Sequence, residues 1–358
     1  MTTKANETNR ILWADLARTL AIVLVVLTHS LEAAIPMNLT NFASIDAMHG
    51  IVTLFIFSIT RVGVPIFLML TGYFLLDRPW DTESCIKFWK TKWLYLFIVS
   101  EIWIALYNLY LALYEKADIT WRTWIMNALF LKHMPLPHVW YLPMILGVYI
   151  LIPFAGIALQ KINPRILIFP MIIYGVYSFV LPVISVVLRA KGCNALSYTF
   201  NLGYSGGGFG MYPVIGWLIK KYADKKIHLI RVIPVIWGAF ICAFGLQLWC
   251  YSEYYSYNIW YDNIFLLVYS SAIFLCLSKI GNISSPASKI FRDISRKSFG
   301  IFLLHVPIIR FSLHFITGLT ASSYLQIFIL WDISFIVSWL IVTLIALIPK
   351  VGKKLFYM

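Results

Sequence analysis

Arg18 and His29 stand eleven residues apart inside an apolar stretch, Trp13 to Leu31, that is long enough to cross a bilayer. Eleven residues at about 100° each close nearly three helical turns, so guanidinium and imidazole share one face, ~16 Å apart along the axis. A charged side chain at such depth costs about 2.5–3.5 kcal/mol on insertion scales, and residues of this kind face a bundle interior or a water-filled cavity. Asp15, three residues before Arg18, is spaced to pair with it and lower that cost. Glu32, one turn beyond His29, is spaced to orient the ring or to stabilise its cation.

Three further segments carry residues with chemical potential. In Arg61-Val-Gly-Val-Pro65 through Thr71-Gly72-Tyr73, Arg61 falls in the outer half of its span, level with His29, where it could stabilise an anion. Gly63, Pro65 and Gly72 permit a kink and close helix contact. His138-Val-Trp140-Tyr141 opens another span and sets two rings beside an imidazole, suited either to stacking on a sugar face or to an interfacial belt. Ser298-Phe-Gly300-Ile-Phe302-Leu-Leu-His305 enters a late span from a basic loop with Arg292, Arg296 and Lys297. Its histidine fits a substrate-lining place or a core hydrogen bond equally. No metal is expected, since His133 and His138 have no third ligand at a recognisable spacing. The five cysteines form no CxxC pair. The glycine run 203–210 lacks the GK[ST] ending of a phosphate loop.

The elements that must hold these residues are membrane helices. Of 358 residues, 61% are hydrophobic and 12% charged, against about 25% charged in soluble domains. Apolar runs predict roughly ten spans, at 11–31, 50–76, 93–113, 138–158, 166–188, 205–222, 230–251, 260–280, 298–317 and 323–349. The expected fold is an all-α polytopic helix bundle, a single membrane-embedded domain over 1–358, with 1–10 and 350–358 as cytoplasmic ends. Placing both termini in the cytoplasm puts 22 of the 29 Lys and Arg residues on the inner side, as the positive-inside rule favours. The net charge of +14 then describes contact with anionic membrane lipid and gives no reason to propose nucleic acid. The inner loop 77–92, with Lys87, Lys90 and Lys92, is positioned to receive phosphates. The first run is preceded by Lys4 and Arg10 as in a signal peptide, but Asp15 and Arg18 within it favour a retained helix.

Taken in order, the four segments resemble the acyltransferase-3 family of integral membrane acyltransferases over nearly the whole chain. The family pattern is D-x-x-R with a histidine eleven residues after the arginine, matched by Asp15, Arg18 and His29. A V-P-x-F-F-x-x-S-G-Y segment is met by Val64, Pro65, Phe67, Gly72 and Tyr73, with Leu68 and Thr71 departing from it. H-x-W-[FY]-[LF] is met by His138, Trp140, Tyr141 and Leu142, and S-x-G-[IL]-[YF]-x-x-H by Ser298, Gly300, Phe302 and His305. Lysines 87, 90 and 92 stand where relatives often carry arginines, which forgoes bidentate phosphate recognition.

The resemblance implies a multi-pass enzyme of the bacterial inner membrane, an O-acetyltransferase moving acetyl from cytoplasmic acetyl-CoA to a sugar hydroxyl of an envelope glycan. In that reaction Arg18, Lys87, Lys90 and Lys92 would meet the phosphorylated donor, and His138, Trp140, Tyr141 and His305 the acceptor. His29, a side-chain type that titrates near neutrality, suits general-base removal of the hydroxyl proton. Arg61 would receive the oxyanion and Glu32 would orient His29. An acyl-histidine relay fits the same residues. The rival reading is a secondary transporter or exporter of a glycan or small anion, with Arg18, His29, Arg61 and His305 along a proton or anion path.

Overall fold

The structure, a computed structural model, describes residues 11–40, 47–196, 207–223, 228–281, 286–317, 323–349 and 352–357. The expected N-terminal segment 1–10 lies outside these residues, as do Gly206, Lys225, Lys226, Lys350 and residue 358. All regular structure among the described residues is helical. The helices are α1 Leu12–Ala34, α2 Ala47–Thr60, α3 Gly63–Leu75, α4 Thr82–Phe88, α5 Leu94–Leu113, α6 Trp121–Ala128, α7 Tyr141–Lys161, α8 Ile168–Gly175, α9 Leu181–Ala190, α10 Met211–Tyr222, α11 Ile233–Ser252, α12 Ile264–Ser278, α13 Pro286–Ile316, α14 Ser323–Ala346 and α15 Gly352–Leu355.

Eight helical stretches among the described residues are long and apolar enough to span a membrane, against about ten expected. The difference falls on α10 and α12, of 12 and 15 residues, which at 1.5 Å per residue reach only ~18 and ~22 Å. Asn263 caps α12 by accepting from the backbone N–H groups of Phe265 and Leu266, at 2.8 and 3.0 Å. The helix therefore starts after Trp260 and Tyr261 instead of including them. A 3-10 turn over Gly207–Gly210 shortens α10 in the same way. The ninth expected span differs in the opposite sense. α13 begins at Pro286, so the basic loop expected before Ser298 is helical. On the outside, Ile98, Ile102, Leu106, Leu109 and Leu113 of α5 make an exposed stripe at helical spacing, a face suited to lipid.

α1 is the axis of the bundle and packs against α13, α14, α3, α2 and α12. Side-chain-to-backbone bonds fix its neighbours: Trp331 Nε1 donates to the Val23 carbonyl of α1 at 3.2 Å, and Thr19 of α1 donates to the Phe291 carbonyl at 3.1 Å. α2 and α3 form one span broken at Arg61 and Val62. Pro65 has no N–H, so the Arg61 carbonyl receives no helical bond from it and the chain can turn there. α3 then approaches its partners at backbone distance. A Cβ at Gly63 would lie 2.7 Å from the Ala21 carbonyl oxygen, and one at Gly72 only 1.8 Å from that of Pro213.

The starts of α1, α5 and α13 and the short α15 gather at one end of the bundle. Ser295 donates to Asp15 at 2.7 Å, Trp103 Nε1 to the Leu355 carbonyl at 3.0 Å, Tyr95 to the Lys354 carbonyl, and Tyr357 to the Lys92 carbonyl at 3.2 Å. This basic end also carries Lys220, paired with Asp77 at 3.0 Å.

Gly72→Ala is expected to destabilise the bundle by about 1–3 kcal/mol, the usual cost of overpacking. Gly147→Ala, where a Cβ meets nothing within 4 Å, is expected to leave stability unchanged or slightly raised. Thermal unfolding of both variants in detergent checks the contrast.

Candidate active site

Three histidines distant in the sequence meet beside α1. Ring centroids lie 5.3 Å apart for His29 and His305, 5.1 Å for His138 and His305, and 6.4 Å for His29 and His138. The route to this arrangement begins at Pro307, which offers no N–H to the Leu303 carbonyl within α13. The Tyr107 hydroxyl donates to that carbonyl at 2.7 Å. The Tyr107 oxygen is then left to accept from His138 Nε2, 3.1 Å away. His305 donates through Nδ1 to the Phe302 carbonyl at 2.7 Å, with that of Ile301 at 3.2 Å. The hydrogen-bond network thus assigns each proton, and His138 Nδ1 and His305 Nε2 remain as buried lone pairs with no hydrogen-bond partner among the described residues. His29 donates through Nδ1 to Glu32 Oε2 at 2.9 Å, which leaves Nε2 as its basic nitrogen.

Arg61 completes the group. It is 3% exposed, with Nη1 4.0 Å from the second Glu32 oxygen. Its guanidinium lies 4.4, 4.8 and 5.1 Å from the ring centres of Tyr261, Trp260 and Phe57. The early cap of α12 leaves Trp260 and Tyr261 free to make this box, and Tyr212 holds it by donating to the Tyr261 carbonyl at 3.0 Å. Arg61 Nε and Nη2 are buried without a hydrogen-bond partner among the described residues. Two N–H donors held in a low-dielectric site suit an oxygen that gains charge during reaction.

Three cavities run through this site. One of ≈ 450 Å³ at the basic end is lined by Arg18, Thr71, Arg78, Tyr149, Ser298 and Tyr357, among others. A central one of ≈ 220 Å³ holds His29, Glu32, Arg61 and His138 in its wall. A third of ≈ 460 Å³, toward the opposite end, is lined by His29, Glu32, Met134, Pro135 and Arg310. Val25, Val64, Tyr141 and Phe302 belong to the first two; His29, Glu32 and Pro137 belong to the last two. His29 therefore stands where the central cavity meets the outer one, and Arg18 one cavity away toward the basic end.

Arg18 lies over Phe74 at 5.4 Å and 3.9 Å from Asp15. Lys87, Lys90 and Lys92 are exposed, and none of them lines these three cavities. Arg78, not singled out from the sequence, does line the basic one; the positive-inside rule had already accounted for its charge. Trp140 and Tyr141 line the central cavity and not the outer one, and His305 stands behind His29 and His138. Trp260 and Tyr261 read in the sequence as the start of a span; the capping Asn263 was the available signal against that. Arg310 makes two 2.8 Å bonds to Glu115 and one to the Pro135 carbonyl. Among the described residues no group of three or more His, Cys, Asp or Glu side chains is placed to hold a metal ion.

Comparison with known proteins adds one match. The acyltransferase-3 family, described as an acyltransferase domain, matches residues 11–349. No curated protein and no solved structure matches the chain.

Tyr107→Phe removes the donor to the Leu303 carbonyl and the acceptor for His138. Leaving these buried groups unpaired is expected to lower stability by about 1–3 kcal/mol. Adding Pro307→Ala restores an N–H for the carbonyl and is expected to recover part of the loss. An unchanged thermal midpoint in Tyr107→Phe would contradict the assignment.

Proposed function

The chain belongs to the acyltransferase-3 family and is a multi-pass membrane acyltransferase; from that premise we propose that it moves acetyl, or another short acyl group, from acetyl-CoA in the cytoplasm to a sugar hydroxyl of an envelope glycan, across the bacterial plasma membrane. The observation that carries this reading is the central cavity. It presents the His29 lone pair and the unpartnered N–H groups of Arg61 together, between a chamber bearing two guanidiniums and an outer chamber.

The phosphates of the donor meet Arg18 and Arg78 in the basic chamber, bidentate groups where Lys87, Lys90 and Lys92 remain peripheral. The thioester arm passes between Val25, Val64, Tyr141 and Phe302, covering the ~16 Å from Arg18 to His29. The acceptor hydroxyl enters from the outer chamber. His29 Nε2 takes its proton as the hydroxyl oxygen bonds to the thioester carbon, and Glu32 stabilises the resulting imidazolium. The carbonyl oxygen, now an anion, is received by Arg61 Nε–H and Nη2–H. Collapse breaks the carbon–sulfur bond, and the proton on His29 passes to the leaving thiolate, giving the ester and free coenzyme A. Because His29 borders both cavities, hydroxyl and carbonyl meet at one ring, and no acyl-histidine is needed.

Purified protein in lipid vesicles with an envelope glycan extract is expected to release coenzyme A from acetyl-CoA and to yield acetylated glycan. At equal folded yield, His29→Ala is expected to slow release by about 10²–10⁴-fold and Arg61→Ala by about 10²–10³-fold in kcat. Arg78→Ala is expected to raise KM for acetyl-CoA with little change in kcat. Undiminished release by His29→Ala would overturn the assignment. No release by well-folded wild type from several acyl donors would favour a transporter and call for flux assays.

A further inference from the structure

The central cavity shares lining residues with the basic and outer chambers, and with a fourth cavity of ≈ 300 Å³ across Pro137 and Trp140; transfer as proposed above uses the first two. The thioester sulfur and its arm leave through the neck of Val25, Val64, Tyr141 and Phe302, and the attacking hydroxyl arrives past His29, Glu32 and Pro137. The developing oxyanion turns toward Arg61. A tetrahedral carbon has one substituent left, the acyl tail, and only one part of the cavity remains for it. That part is shared with neither the basic nor the outer chamber and is walled by Thr28, Thr60, Trp140, Trp260 and Tyr261, beside His138 and Arg61, with the Trp140 ring as the partition from the fourth cavity.

This end is walled by aromatic rings and by hydroxyls already bonded, with Trp260, 42% exposed, at its outer edge. The hydroxyls of Thr28 and Thr60 are each spent on a carbonyl of their own helix, at 2.9 Å to Leu24 and 2.9 Å to Phe57. Trp140 is braced by Phe209, Trp260 and Tyr261 at centroid distances of 5.3, 5.2 and 5.4 Å. Trp260 and Tyr261 are held in turn by the guanidinium of Arg61, so neither ring can swing aside without loosening the oxyanion donor. The whole cavity measures ≈ 220 Å³, and it must also take the thioester carbonyl and the hydroxyl.

We propose that the wall formed by Trp140, Trp260 and Tyr261 is the acyl-length gauge of this enzyme, admitting an acetyl group and stopping longer chains. The inference rests on the proposed acyl-transfer function and names its donor class, a coenzyme A thioester of a short, unbranched, uncharged acid. Trp140 and Tyr261 are in this view specificity residues for the donor, not a platform for the acceptor sugar.

The test is kcat/KM for coenzyme A release, with acylated glycan counted in parallel, for acetyl-, butyryl- and hexanoyl-CoA in the vesicle system. One added methylene in an apolar pocket changes discrimination by about 10–200-fold, so wild type is expected to use butyryl-CoA at least 10-fold less well than acetyl-CoA. Trp260→Leu and Trp140→Leu are expected to narrow or invert that ratio, and Trp260→Phe, a smaller truncation, keeps the test open if the leucine variants fail to fold. An unchanged ratio in variants that still turn over acetyl-CoA would overturn the gauge while leaving the transferase reading intact, as would wild type that accepts hexanoyl-CoA equally. Variants that release coenzyme A without acylating glycan would make the wall a water barrier instead, again against the gauge. No turnover of any thioester by folded wild type would remove the transferase reading and the gauge with it.

Discussion

A carbonyl freed inside a membrane helix must find a donor, because hydrocarbon supplies none. Pro307 frees the Leu303 carbonyl, Tyr107 supplies the hydroxyl, and that single bond organises the histidine cluster. Once the Tyr107 proton is committed, its oxygen can only accept, so His138 carries its proton on Nε2 and keeps a lone pair on Nδ1. His305, two residues before the proline, satisfies itself on carbonyls of its own helix and keeps a lone pair too. The bonding demands of an apolar medium thus leave basic nitrogens grouped around His29 with almost no freedom of tautomer.

The same demand governs charge. Ion pairs of opposite sign stand near the cavities: Asp15 with Arg18, Glu32 with His29 and Arg61, Glu115 with Arg310, Asp293 with Lys297. Glu32 is the most consequential, because one carboxylate holds both the base and the guanidinium proposed to receive the oxyanion. Arg61 in turn keeps two N–H groups unspent, a costly state in a low-dielectric site and one that is compensated when an oxygen acquires charge there. The cavities differ accordingly. Arg18 and Arg78 put two guanidiniums in the wall of the basic chamber, while Glu115 offsets Arg310 at the other end.

Much of the site could be read from the sequence because it lies on one helix. The period of 3.6 sets Arg18 and His29 on a common face and puts Asp15 and Glu32 one turn away, and those pairings are present at 3.9 and 2.9 Å. The ordered motifs carry the family, and composition carries the all-helical membrane class. What could not be read depends on contacts between distant segments. Nothing local tells that His138 and His305 share a cluster, or that Tyr107, inside an ordinary apolar span, links them. Span counting mislaid Trp260 and Tyr261, since hydropathy extends a helix across residues that the Asn263 cap excludes. Charge counting put Arg78 among the inner charges without distinguishing it from Lys87, Lys90 and Lys92, which are exposed.

As proposed, one chain carries an acyl group through three successive cavities from one face of the membrane to the other. Vesicles with the glycan acceptor sealed inside and labelled acetyl-CoA added only outside address this directly, with a membrane-impermeant thiol reagent detecting the coenzyme A released outside. For molecules inserted with the basic end outward, acetyl label is predicted on the enclosed glycan while coenzyme A appears outside. Label that forms only when donor and acceptor share a compartment would contradict transfer across the bilayer.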